Sequence, residues 1–196
     1  MNNKLTYQII IFTLLVVCNA CKKELTKGEL IDYINNSENG LSQIKNEGQY
    51  RMQLRYQPKQ LLYKNITQDN EGLEFFVFTI SDNGQEILTR FVGSKELFGE
   101  MSDQLNFYMT DKIFLKVNNK EIKVFSCFHQ ATYGMADKTS FIISFRKSDI
   151  VNVPDMQIVI KEFGLGIGDQ KFTLEYNKIK EIATINILED EETKKL

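Results

Sequence analysis

The chain of 196 residues has no tryptophan, two prolines, three cysteines and one histidine, His129. A single histidine excludes metal sites made of several histidines, and any Ser-His-Asp or Cys-His mechanism would have to use it. Basic residues are also scarce for a nucleic-acid-binding protein, since 24 Lys+Arg stand against 26 Asp+Glu. No nucleic-acid partner is therefore expected. The hydrophobic content of 42% is ordinary for a globular protein.

The first 20 residues have the pattern of an export signal. One charge, Lys4, precedes an almost unbroken apolar run at 9–17, in the order that secretory signals follow. The run is about half of the ~20 residues that a membrane-spanning helix needs. Residues 16–21 read Val-Val-Cys-Asn-Ala-Cys. A small residue directly before a cysteine at the end of such a run resembles the lipobox of bacterial lipoproteins.

This resemblance implies a signal peptide at 1–20 and lipidation of Cys21, which would anchor the mature protein in a membrane of the bacterial envelope. The pattern departs from the family at Cys18, where Leu or a similar residue is usual. Cys18 is also the alternative lipidation site, but Val17 before it is larger than the residue usually found there. Cleavage would remove Cys18 and acylation would use Cys21. Cys127 would then be left alone, so no internal disulfide is expected.

After a short tether at 21–26, the pattern predicts one mainly β domain at 27–188 and a charged tail at 189–196. Thr26 and Glu29 have capping-box spacing, which predicts a helix at about 27–36. Regular β-α-β alternation is missing, so an antiparallel β-sandwich or barrel-like fold with one or two short helices is favoured. Apolar and alternating runs predict strands at 50–56, 73–80, 87–92, 113–117, 121–129, 139–145, 156–163, 171–176 and 179–188, and a short helix at 94–101. The expected inter-sheet core contains Phe75 and Val77 with a subset of Phe141, Ile143, Ile158 and Ile160.

Cys127 and His129 are two residues apart on a predicted strand, so their side chains should share a face. They supply half of a tetrahedral zinc site and have no second Cys/His pair beside them in the mature chain. We therefore expect a structural role for both. The glycines at 164, 166 and 168 lack the following helix of a dinucleotide-binding loop, so a connection between strands is expected. No cofactor and no metal are predicted.

Two functional hypotheses follow. The first is a non-enzymatic, lipid-anchored binding or assembly module of the cell envelope. It is expected on the periplasmic or surface face of the outer membrane, with an envelope protein or glycan as partner. The second is a small lipid-anchored hydrolase that uses carboxylates. Glu74, Asp137 and Asp155 are candidates for such a pair, although solvated surface positions are the default expectation for them.

Overall fold

The computed structural model describes residues 24–62, 72–117, 120–150 and 155–188. The predicted signal peptide, Cys21 and the charged tail lie outside these residues. Eleven strands are assigned within the described parts, and they are β1 Glu24–Thr26, β2 Ser42–Glu47, β3 Tyr50–Gln57, β4 Leu73–Asp82, β5 Ile113–Val117, β6 Lys120–Lys123, β7 Ser126–Gln130, β8 Thr139–Arg146, β9 Asp155–Ile160, β10 Gln170–Glu175 and β11 Asn186–Leu188. The three α-helices are α1 Lys27–Asn35, α2 Lys95–Asp103 and α3 Tyr176–Ala183.

Two antiparallel sheets form a sandwich-like fold, as the sequence predicts. The large sheet has five strands in the order β2-β3-β4-β8-β7, and the small sheet has four in the order β10-β9-β5-β6. The chain crosses between the sheets at Val124 and Phe125, whose amides donate to Ile113 O on the small sheet and Ser144 O on the large one. Near the opposite edges, the Thr173 amide of β10 donates to Gln43 Oε1 of β2 at 2.8 Å.

Helix α1 begins with the predicted capping box. The Thr26 hydroxyl accepts from the Glu29 amide at 3.2 Å, and the Glu29 carboxylate accepts from the Thr26 amide at 2.9 Å. Immediately before this helix, β1 pairs in parallel with β11, so part of the expected tether is joined to the last described strand.

The core between the sheets is aromatic. Phe78 of β4 stacks on Phe141 of β8 with ring centroids 6.0 Å apart, and it meets Phe172 of the small sheet edge-on at 5.9 Å. Phe141, Ile143, Ile158 and Ile160 are all buried in this core, as predicted. The prediction for Phe75 and Val77 is wrong, because both side chains project from the outer face of the large sheet. Phe76 and Phe78 occupy the inner positions instead.

One predicted strand is wrong and another is only partly correct. The Asn83-Gly84 turn forms, and Asp82 pairs with Gln85, but Ile87–Phe91 is a 3-10 helix rather than a returning strand. The Ile87 amide donates to Thr139 Oγ1 at 2.9 Å, which fixes the chain against β8. The stretch predicted as a strand at 179–188 is divided, because its first half belongs to α3, whose Tyr176, Ile179 and Ile182 bury one helical face, and its end, Asn186–Leu188, forms the strand β11. The expected run at 121–129 is divided between β6 and β7, one in each sheet.

Candidate binding groove

A cavity of about 1060 Å³ lies on the outer face of the large sheet. We call it the outer groove; its floor is made by Arg55, Val77, Ile142 and Phe128, with Phe75 beside them. A volume of this size is at the upper end of the range for small-molecule sites, about 300–1,000 Å³. The unbroken apolar sequence of β4 explains the floor, since a strand buried on both faces does not alternate.

The floor forms one row across four strands. Residues directly opposite each other in an antiparallel pair point to the same side of the sheet. The register places Arg55 of β3 opposite Val77 of β4, Val77 opposite Ile142 of β8, and Ile142 opposite Phe128 of β7. One cationic side chain is therefore followed by three apolar ones along a line perpendicular to the strands.

The groove is polar on one side of this row and mixed, with most of its large apolar side chains, on the other. The neighbouring row contains Gln53, Thr79, Ser140 and Gln130, which are aligned by the same register and line the groove. On the opposite side Phe75 is aligned with the polar residues Gln57 and Ser126, and beyond this row the lining residues are apolar, namely Leu61, Leu62, Leu73 and Phe125. The cavity thus has the amphipathic character that a ligand with a polar end and an apolar body would match.

Helix α1 forms a wall of the groove. Its Leu30 and Ile34 are fully buried in the core, while Lys27, Ile31 and Asn35 line the groove. These two sets lie on different faces because residues three and four apart share a helix face. The helix is therefore held by the core and presents a second face to the cavity.

Arg55 is the cation in the floor. Its side chain is half-buried, and burial lowers the pKa of the guanidinium; an arginine still remains protonated at neutral pH. Its Nη1 donates to Gln57 Oε1 at 2.7 Å. Among the described residues no carboxylate lies within 4.0 Å of this guanidinium. Because a partly buried charge is stabilised by a counterion, the groove has a position suited to an anionic group.

Cys127 and His129 share the inner face of β7, as predicted, but no hydrogen bond joins them. Asn106 Nδ2 donates to Ser102 O at 2.8 Å, so its Oδ1 is free to accept from His129 Nδ1 at 2.9 Å. The imidazole also lies against Phe141, with ring centroids 5.1 Å apart, and burial lowers its pKa. His129 therefore has structural partners that do not include the thiol.

Burial raises the pKa of the Cys127 thiol to about 12. Only a minute fraction is thiolate at neutral pH, and the thiolate is the reactive species. We expect iodoacetamide to modify Cys127 in the native protein far more slowly than in urea, and His129→Ala to leave the native rate low. Mass spectrometry of timed reactions measures both rates. Rapid native modification that slows in His129→Ala would instead indicate an activated thiol.

The glycine-rich loop connects β9 to β10, as expected, and its amides already hold an anion. Glu162 Oε1 accepts from the amides of Gly164, Leu165 and Gly166 at 2.6–2.9 Å, and Oε2 accepts from Gly168 at 2.6 Å. All three glycines have positive φ, the conformation that turns successive amides toward one point. The loop is thus closed around a carboxylate of its own chain.

Burial alone would raise the pKa of Glu162, but the four backbone N–H donors lower it below its ordinary value. A carboxylate with a lowered pKa stabilises the fold above about pH 4.5, and that stabilisation is lost as pH falls through the folded-state pKa. We expect Glu162→Gln to lower the unfolding free energy by about 1–3 kcal/mol at pH 7. Urea unfolding should show the difference shrinking below pH 4. A difference that is constant from pH 7 to 3 would contradict this assignment.

The three carboxylates singled out from the sequence lie apart. Glu74 is buried in the core and accepts from the Tyr56 hydroxyl at 2.9 Å, so the default of a solvated position is wrong for it. Asp137 is exposed, with its carboxylate 3.9 Å from Lys138 Nζ. Asp155 is opposite Glu175 in the β9–β10 pair, and both line a cavity of about 490 Å³. Directly opposite residues have Cβ atoms about 4.5–5.5 Å apart.

Other site types are not found in the described part of the chain. Its histidine, cysteine, aspartate and glutamate side chains include no group of three arranged to hold a metal ion. None of its helices has the length and apolar character required to cross a membrane. The outer groove was missed by the sequence analysis, although the run LEFFVFTI at 73–80 was the available signal for a strand covered on both faces.

Comparison with known proteins gives no relative from which a role could be transferred. The chain matches no family model, and neither a curated protein nor a solved structure is significantly similar to it.

Proposed function

We propose that this protein is a lipid-anchored, non-enzymatic binding module of the bacterial cell envelope, and that the outer groove is its binding site. The groove is the observation that carries the binding role. It combines an apolar floor with polar groups and three cationic side chains, those of Lys27, Arg55 and Lys138, and an apolar lining with a few polar groups is usual for a site that takes a small ligand. The lipid anchor rests on the lipobox-like end of the predicted signal at Cys21.

Cys21→Ala is expected to release the protein from membranes while the β domain remains folded. The thioether-linked lipid would be absent from this variant, and Cys21 precedes the residues that form the described domain. Fractionation of cells grown with a radioactive fatty acid tests the anchor. Cys18→Ala is the matched control and should retain label and membrane attachment. Label that persists on Cys21→Ala, or is lost from Cys18→Ala, would contradict the assignment.

Binding in the groove can be tested with a neutral, environment-sensitive apolar dye. The full-length chain is kept in solution with amphipol, and empty amphipol provides the blank. Ile142→Asp places a charge on the apolar floor and should abolish specific dye binding. Val92→Asp changes a similar side chain that is 72% exposed and lies away from the lining residues, and it should bind like wild type. Equal binding by both variants would reject the outer groove as the site.

A carboxylate hydrolase is the second candidate, and the Asp155–Glu175 pair is the observation that favours it. The register places the two side chains directly opposite each other, and glycosidases use two carboxyl groups that flank the bond they cleave. Both side chains are exposed, however, and water-exposed carboxylates lack the environment that usually separates acid and base roles. Hydrolysis of a chromogenic glycoside that is lost in both Asp155→Asn and Glu175→Gln would favour the enzyme over the binding module.

A further inference from the structure

We propose that the outer groove binds a single-chain amphipathic carboxylate, a fatty acid, with its head group on Arg55 and its chain across Val77 and Ile142 toward Phe128. This inference rests on the proposed binding role of the groove and adds the chemistry of the ligand. Four features of the molecule support it: the charge of the lining, the free donors of Arg55, the direction of the apolar row and the distance to the predicted anchor.

All the charged residues among the described lining of the groove are positive. They include Lys27, Arg55 and Lys138, and they include no aspartate or glutamate. This bias is marked in a chain whose formal net charge is −2. Lys138 has Asp137 at 3.9 Å and both are exposed, so this pair is screened. Arg55 is the cation on the floor, and the lining is complementary to an apolar ligand with a negative group.

Arg55 has the geometry for a carboxylate. A guanidinium has five N–H donors, and one bond from Nη1 to Gln57 Oε1 is made within the described residues. The remaining donors include the parallel pairs that bind both oxygens of a carboxylate. Gln57 also fixes the orientation of the guanidinium, so part of the ordering cost of binding is already met.

The apolar row sets the direction and length of the ligand. From β3 to β7 there are three strand spacings, which amounts to about 14 Å at ~4.8 Å each. Val77, Ile142 and Phe128 occupy these steps in order. The polar row with Gln53 and Thr79 borders one side, and Phe75 borders the other together with Gln57 and Ser126. An extended chain of about ten to twelve carbons fits this distance.

The predicted anchor places the groove near a source of such molecules. Lys27 lines the groove and follows Cys21 by six residues. Six residues span at most about 20 Å when fully extended. With Cys21 in a membrane, the α1 wall therefore stays close to the bilayer surface. This proximity favours a membrane-derived fatty acid over a soluble anion of similar charge.

Equilibrium dialysis with radiolabelled dodecanoate tests the proposal on the full-length chain in amphipol. We expect saturable binding by wild type and a loss of about tenfold or more in Arg55→Gln, because a charge-assisted interaction is removed. Arg51→Gln is the matched control. Arg51 is on the same strand and projects to the same side, but it is exposed and does not line the groove. Dodecanol and dodecyltrimethylammonium should compete weakly, and acetate should not compete.

The outcomes separate this inference from the proposed function. Dodecanol that binds as tightly as dodecanoate, with no effect of Arg55→Gln, would overturn the carboxylate assignment while leaving an apolar binding site. Failure of dodecanoate and of the neutral dye would overturn both. Native mass spectrometry provides a further criterion. A ligand-free dimer that Ile142→Asp dissociates would show that a second copy of the chain covers the groove, and would also overturn the inference.

Discussion

Phe78→Ala should lower the free energy of unfolding by about 3–5 kcal/mol, the range for removing a buried phenylalanine. The Phe78 ring is fully buried and touches aromatic rings from both sheets, Phe141 and Phe172. Its removal leaves a cavity that two β-sheets cannot easily close. Urea unfolding of wild type and variant under identical conditions measures the difference. A thermal midpoint lowered on the order of 10 °C should accompany it.

Phe75→Ala is the matched control, three residues earlier on the same strand. Its ring faces the outer groove, so the variant enlarges an existing cavity rather than creating a closed one. Phe75 is 6% exposed, and we expect a loss of about 1.5–3 kcal/mol, the transfer term alone. The comparison tests the strand register directly, because a shift of one residue would exchange the two faces. A larger loss in Phe75→Ala than in Phe78→Ala would contradict the register.

Glu74→Ala is expected to lower the unfolding free energy on the order of 2–3 kcal/mol. The Glu74 side chain is 5% exposed, accepts from Tyr56 Oη at 2.9 Å and lies 3.4 Å from Lys147 Nζ. Removing one member of a buried pair typically costs about 3–5 kcal/mol. The expected loss is smaller here because the Lys147 side chain is 43% exposed and its ammonium can be hydrated.

Two variants separate the contributions within this cluster. Glu74→Gln keeps an oxygen that can accept from Tyr56, so it should lose less than Glu74→Ala. Burial, followed by the charge of Glu74, raises the pKa of Tyr56 well above its ordinary value, and the hydroxyl remains a donor. Tyr56→Phe should then cost about 1 kcal/mol. We expect the denaturant midpoint to be lowest for Glu74→Ala, higher for Glu74→Gln and highest for Tyr56→Phe. Equal midpoints for all three variants would contradict a coupled cluster.

Much of the fold follows from local patterns. The capping box at Thr26 and Glu29 predicts the start of α1, and alternation from Tyr50 to Tyr56 predicts β3 with the correct inner face. The errors occur where tertiary contacts, rather than the local sequence, determine the secondary structure or the buried face. In β4 no alternation exists, so the sequence cannot distinguish Phe75 from Phe76 as the inner residue. At Ile87 the bond to Thr139, 52 residues away, replaces the hairpin that the Asn-Gly turn favours.

The candidate site was harder to predict than the fold. In the sequence Arg55 is one of several polar residues that alternate along a half-buried strand. Its place in the groove becomes visible only when β4 and β8 are positioned in the sheet. Its role depends on Val77 and Ile142, which are distant in sequence and become neighbours through the register. The glycine-rich loop shows the opposite case. The expectation of a strand connection is confirmed, but its internal ligand, Glu162, was visible only from the backbone geometry.

The parallel pair of β1 and β11 has a mechanical consequence. Glu24, Leu25 and Thr26 are aligned with Asn186, Ile187 and Leu188, so tension on an anchored Cys21 would reach this pair before it reached the sandwich. A three-residue ladder resists far less than the eight-residue pairing of β3 with β4. Under load the β1–β11 ladder should separate first. This would lengthen the connection between Cys21 and the sandwich by about 10 Å. The domain could then move away from the bilayer surface without unfolding. When the tension ceased, β1 and β11 would pair again and the connection would shorten.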